Sequence, residues 1–205
     1  MSLKDYSGDF NPDITYLDFD KELIKELYSI TADLYVMIDG CWVARMRDRL
    51  GLEETTKISI EIWTYMLKQE AKRTAKLFNI RTGPEANVID FLKLFNLTPG
   101  YGADKFPKKF NIINENHATV QFLSCASLLY YERHQLVRPG VLPGCCAPEF
   151  DCLRSVVDAV NPNIQFGALK LPPRQSPTGI FCLWEFKLDP TAKNGSTKDA
   201  AHVAA

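Results

Sequence analysis

Apolar residues recur at alternating spacings of three and four along the first half of the chain, and at every other position along much of the second half. Leu23, Leu27, Ile30, Leu34, Met37 and Cys41 form the first stripe. It predicts an amphipathic helix that starts near residues 18–20, where an aspartate can cap the first turn. The pattern continues through Val43, Met46 and Leu50 to Gly51, a stop signal, with Gly40 as a bend or close-packing point. A second helix is predicted over residues 53–78. Ile58, Ile62, Met66 and Gln69, with Trp63, Leu67 and Ala71, face inward there, and Lys68, Lys72, Arg73 and Lys76 form a solvated face. Thr82, Gly83 and Pro84 break the chain before a shorter helix at 85–95, which buries Val88, Phe91, Leu92 and Phe95. Pro99, Gly100, Tyr101 and Gly102 end this helical half.

Beyond Lys105 the period changes to two. Residues 110–115 and 119–125 read as strands joined by a turn at 114–117, and residues 126–135 either prolong the second strand or, the favoured reading, form a short helix. A Pro- and Gly-rich loop then delivers Cys145 and Cys146 to a helix over 147–160, with Pro148 in its first turn. Phe150, Leu153, Val156, Val157 and Val160 share one face of that helix. Strands follow at 164–171, ended by Pro172 and Pro173, and at 179–188. Alternation in the last strand puts Ile180, Cys182, Trp184, Phe186 and Leu188 on one face.

Helices first, then strand, strand, helix, strand, strand, predict an α+β fold. Its roughly four-stranded antiparallel sheet is covered on one face by helices. The expected organisation is an extended arm at 1–17, a single domain at 18–188 (helical over 18–102, sheet over 105–188) and a disordered tail at 189–205.

Composition narrows the function classes. A 205-residue chain that is 46% hydrophobic can bury a full core. Its net charge of -1, with scattered lysines and arginines, lacks the basic footprint of nucleic-acid binding. No apolar run is long enough to span a membrane and no secretory signal opens the chain, so no membrane partner and a cytoplasmic location are expected. Thiols are then expected reduced, since six cysteines are too sparse for a disulfide scaffold. The oligomeric state is not legible from the sequence.

Candidate chemistry concentrates between residues 124 and 182, where five of the six cysteines lie. Cys145 and Cys146 precede a predicted helix, whose N-terminal N–H groups favour a thiolate or a ligand carboxylate, so Cys146 is a candidate nucleophile. Against this, no histidine adjoins it; His134 and His117 could approach only through folding. Cys182 shares a face with Trp184, where burial would leave it an inert core thiol. The same thiols could instead hold zinc or iron through Cys125, Cys146, Cys152 and Cys182 with His134, although no pair has close metal-ligand spacing. The cofactor is thus either none or a thiolate-bound metal. In the helical half, Asp39 interrupts the apolar run 36–43 and Glu61 stands beside Trp63. Each has a structural reading, as a paired or surface carboxylate; together they also supply the two carboxylates of acid/base chemistry.

Asp39-Gly40-Cys41-Trp42, then Glu61-Ile62-Trp63, then Cys125, Cys146, the closing Pro172-Pro173 and Cys182-Leu183-Trp184-Glu185-Phe186 follow one another in an order that resembles the L-2-amino-thiazoline-4-carboxylate hydrolase family and its uncharacterised relatives. The likeness spans roughly residues 23–188. It implies hydrolysis of a C–N bond in a small cyclic amidine, opening a thiazoline ring to a carbamoyl-cysteine. Carried over by motif, Cys125 and Cys146 are the family-type cysteines and Cys182 with Trp184 the closing-strand motif. Cys145 beside Cys146, and Cys152 shortly after, depart from the pattern and blur the register of the middle cysteine. The expected function is hydrolysis in a cysteine-lined pocket, with Cys146, Asp39 and Glu61 catalytic and Cys125, Cys145, Cys182, Trp42, Trp184 and His134 around a small ligand. The alternative is a non-catalytic module that binds a small molecule or metal with the same residues.

Overall fold

A computed structural model describes residues 2–101, 106–135, 137 and 149–189. Residues 2–13 are exposed and lie along the start of the domain. Leu3 makes a parallel bridge to Phe19, and Leu3 N donates to Asp18 O at 2.7 Å. Helix α1 spans Lys21–Leu50. Asp20 caps it by accepting from Leu23 N at 2.9 Å, which satisfies one of the orphan donors of the first turn. Gly51, at φ 80°, ends α1 and at once begins α2, Leu52–Leu77. A side chain at that φ would be strained, so glycine is what lets two long helices meet without a linker.

The two helices run back along each other. Tyr35 donates to Glu70 Oε1 at 2.7 Å, and Trp63 Nε1 donates to Asp39 Oδ1 at 2.9 Å. The buried stripe of α2 is Thr55, Ser59, Leu67, Ala71, Thr74 and Ala75, with Trp63 half-buried; Ile62, expected inside, is 49% exposed. Small residues replace large ones there because neighbouring backbones approach α2 closely. On α1 only Ala32 is buried, and the stripe from Leu27 to Cys41 faces solvent.

Helix α3, Val88–Leu97, starts with a capping box between Asn87 and Asp90. Asp90 is buried and also accepts from Arg81 Nε at 2.8 Å, so its charge is compensated. The remaining elements are β1, Lys108–Asn114; β2, His117–Phe122; α4, Ala126–Arg133; α5, Glu149–Val160; β3, Gln165–Lys170; and β4, Cys182–Lys187. Strands β2, β3 and β4 are shorter than the alternation suggests, and β1 begins two residues earlier than expected, at Lys108. The expected first turn of α5, with Pro148, lies outside the described residues, as does the expected tail from residue 190 onward.

All strand pairs are antiparallel in the order β1-β2-β4-β3. The architecture is therefore α+β with the helices on one face. Ala118, Val120 and Phe122 of β2 and Trp184 and Phe186 of β4 point into the core, where Phe91 and Phe186 lie 4.5 Å apart between ring centroids. On the opposite face His117 Nε2 meets Glu185 Oε1 at 2.9 Å. Phe122 pairs with Cys182 across β2 and β4, so the start of β4 lies beside the end of β2 and the chain that enters α4. Among the described residues no helix is long and apolar enough to cross a membrane.

Candidate functional site

A cavity of about 710 Å³ opens between α1, α2, the turn at Pro99–Tyr101, the ends of β2 and β4, and the first turns of α4 and α5. Gly100 lets that turn pack closely on α2 by its lack of a side chain. A Cβ at that position would stand 3.1 Å from Glu70 Oε2 and from Leu67 Cδ2, while its N–H donates to Glu70 Oε2 at 2.9 Å. Gly100 thus fixes the neighbouring Tyr101 against the helical pair.

Helix α5 presents Glu149 and Cys152 to the cavity one turn apart. Tyr101, itself buried, donates its hydroxyl to Glu149 Oε1 at 3.1 Å. Burial pushes the Glu149 carboxyl up to about 7, against the opposing pull of that hydrogen bond and of the Lys108 charge. The residue as a whole is half-buried, but its carboxyl is removed from water. Burial likewise lowers the Lys108 ammonium to about 8, with Glu149 opposing. Lys108 Nζ donates to the carbonyls of Tyr101 and Phe106 and lies 5.2 Å from the Phe95 ring centroid. Near neutral pH a proton can therefore reside on Glu149 or leave it at little cost, the property a general acid or base needs.

Asp39 lines the cavity from α1, and burial raises its carboxyl while the Trp63 N–H opposes the rise. Cys152 is buried and its thiol pushed well up, first by burial and then by the charges of Glu149, Asp151 and Asp39. That thiol is held protonated and is a poor nucleophile. Cys125 caps α4, its Sγ accepting from Leu128 N at 3.4 Å, and Cys182 opens β4; both line the cavity with Trp184. Phe150 is not fully buried, but it stacks edge-on against Trp184 at 5.0 Å.

The structure thus brings Asp39, Cys125, Cys152, Cys182 and Trp184 to one cavity. Glu61 and Trp42 are exposed on α2 and α1 and do not line it. His134 is exposed at the end of α4, its ring 4.4 Å from that of Tyr130, and is also absent from the lining. Cys145 and Cys146 lie outside the described residues. Among the described residues no three His, Cys, Asp or Glu side chains converge as metal ligands, so Cys125, Cys152, Cys182 and His134 form no metal cluster by themselves. Sequence reasoning passed over Glu149, Tyr101 and Lys108. Glu149 reads as an acid in a first helical turn and Tyr101 as part of a terminating turn; only the placement of α5 against that turn reveals the pair.

The model of a family of unknown function, DUF6125, matches residues 17–188. The chain belongs to that family. No curated protein and no solved structure matches it.

Proposed function

We propose that this chain is a hydrolase acting on a C–N bond of a small cyclic amidine or related carboxylate bound in the cavity of α1, α2, α5 and the sheet. The observation that carries the reading is a carboxyl poised near neutrality, Glu149, held by Tyr101 in a cavity that Asp39 also lines. Asp39 and Glu149 in the lining suit a cationic head group such as an amidinium, Arg45 and Arg47 in the same lining suit a ligand carboxylate, and the apolar remainder of the wall suits a ring. The motif order of Asp39, Cys125, Cys182 and Trp184 supports the same substrate class.

In this reading Glu149, ionised, takes a proton from a water that attacks the amidine carbon. The carbon gains the water oxygen and its bond to the ring nitrogen breaks. The departing nitrogen receives both water protons, carried one after the other by Glu149, and the hydroxyl oxygen becomes the carbonyl. Asp39 pairs with the amidinium. Tyr101 holds the Glu149 carboxyl in place, and Cys125, Cys182 and Trp184 shape the wall.

The mostly apolar lining and the inert Cys152 favour a second reading, a binding module that holds such a molecule without turning it over. Incubation with 2-amino-thiazoline-4-carboxylate and other cyclic amidines, followed by mass spectrometry for ring-opened product, separates the two. Product from the wild type, lowered by about 10²–10⁴ in Glu149→Gln, supports hydrolysis by Glu149. Saturable binding without product supports the module. Loss of product in Cys146→Ala with retention in Glu149→Gln would move the chemistry to the thiol.

A further inference from the structure

Leu27, Ile30, Leu34, Met37 and Cys41 repeat at spacings of three and four, the interval of a coiled-coil seam rather than of a helix lying on a broad core. They are not buried. Leu27 is 42% exposed, Ile30 56%, Leu34 55% and Met37 60%, and Cys41 is exposed too. The opposite side of α1 is the one that packs: Ala32 is buried, Tyr35 bonds Glu70, and Asp39 bonds Trp63. In heptad terms, positions a (27, 34, 41) and d (23, 30, 37, 44) face away from position f (32, 39), which is held by the body of the protein. Ile38, at position e and 62% exposed, widens the seam. A contiguous apolar strip of this kind marks an interaction surface.

We propose that two copies of this chain pair through α1 as an antiparallel coiled coil about a two-fold axis. In that arrangement a meets d, so Leu27 lies beside Ala44 of the second copy, Ile30 beside Cys41 and Leu34 beside Met37, each contact occurring twice by symmetry. The flanking charges select this occupant and this direction. Glu26 and Arg47 both fall at position g, and antiparallel pairing sets g against g, so each Glu26 faces an Arg47 of the other copy. A parallel pair would set Glu26 against Thr31 and Arg45 against Gly40, with no opposite charge to meet. Antiparallel pairing also places the dipole ends of the two helices beside their opposites. The helix of 30 residues is about 45 Å long, enough to carry all of these layers. Met37, Cys41 and Ala44 also border the cavity, so the second copy closes its α1 edge.

Sedimentation equilibrium on the full chain across a concentration series tests the proposal. The wild type is expected at twice the mass of one chain, falling toward one on dilution. Leu34→Asp is expected at the mass of one chain, with helical circular dichroism unchanged because the residue is exposed. Glu26→Arg should raise the dissociation constant about tenfold, and Glu26→Arg with Arg47→Glu should restore it. A wild type that stays at the mass of one chain throughout leaves the seam to another occupant and overturns self-pairing. So does a Leu34→Asp variant that keeps twice the mass, and a double swap no tighter than the single one overturns the antiparallel register.

Discussion

Glu149 shows how a single burial sets both stability and chemistry. Its carboxyl is raised from 4.5 to about 7, so the folded state holds a proton that the unfolded chain releases at lower pH. The stabilising contribution is complete below the ordinary carboxylate value and is lost as pH rises through 7. Glu149→Gln keeps the Tyr101 hydrogen bond and removes the charge. Urea titrations should find the variant about 1–3 kcal/mol more stable relative to wild type at pH 8 than at pH 5. A wild type with no such difference would show that the carboxyl is solvated. Asp39→Asn is the companion case. The amide oxygen still accepts from Trp63 Nε1, so the melting midpoint should move by only a few degrees while turnover or ligand affinity collapses. A large early melt would make Asp39 structural. The thiols order themselves by the same physics: in Leu34→Asp, whose α1 seam is open, limiting alkylation at neutral pH and peptide mapping should find Cys41, exposed in the single chain, labelled well before Cys152, buried with a raised thiol.

At the level of elements, the sequence was most legible where a period and a terminator agree. The start of α1 near residues 18–20 and its stop at Gly51 follow from their capping and terminating residues, and the buried faces of α3 and of α5 at Leu153, Val156, Val157 and Val160 from spacing. Spacing does not say which side of a helix meets the body. The α1 stripe faces solvent because polar side chains on its other side, Tyr35 and Asp39, bond across to α2. Ile62 is outside for a related reason, the close fit of the small residues Ser59 and Ala71 inside. Asn161 shows a fastening that no hydrophobic pattern reveals. Fully buried after α5, it donates to Ala86 O at 2.8 Å and accepts from Asn163 N at 2.9 Å, tying α5 to the chain before α3. Asn161→Ala should cost about 2–3 kcal/mol in chemical denaturation, since it leaves buried backbone groups unpaired. A loss under about 0.5 kcal/mol would show that those groups find water instead.

The whole molecule places a cavity where segments far apart in sequence meet. The alternation of β4 shows that Cys182 points where Trp184 points, but the insertion of β4 between β2 and β3, which brings Cys182 beside Phe122 and near Cys125, depends on strand order and is written in no local motif. Glu149 and Tyr101 are 48 residues apart and meet only because α5 lies over the turn after α3. The most direct measurement of the account is a carbon-13 titration of glutamate carboxyls in the labelled protein, with and without a cyclic amidine carboxylate. One resonance, absent in Glu149→Gln, should titrate at about 7 and move to lower pH when the ligand binds, because a cation beside the carboxyl favours its ionised form. A Glu149 resonance that titrates in the ordinary carboxylate range and does not respond to the ligand would contradict it.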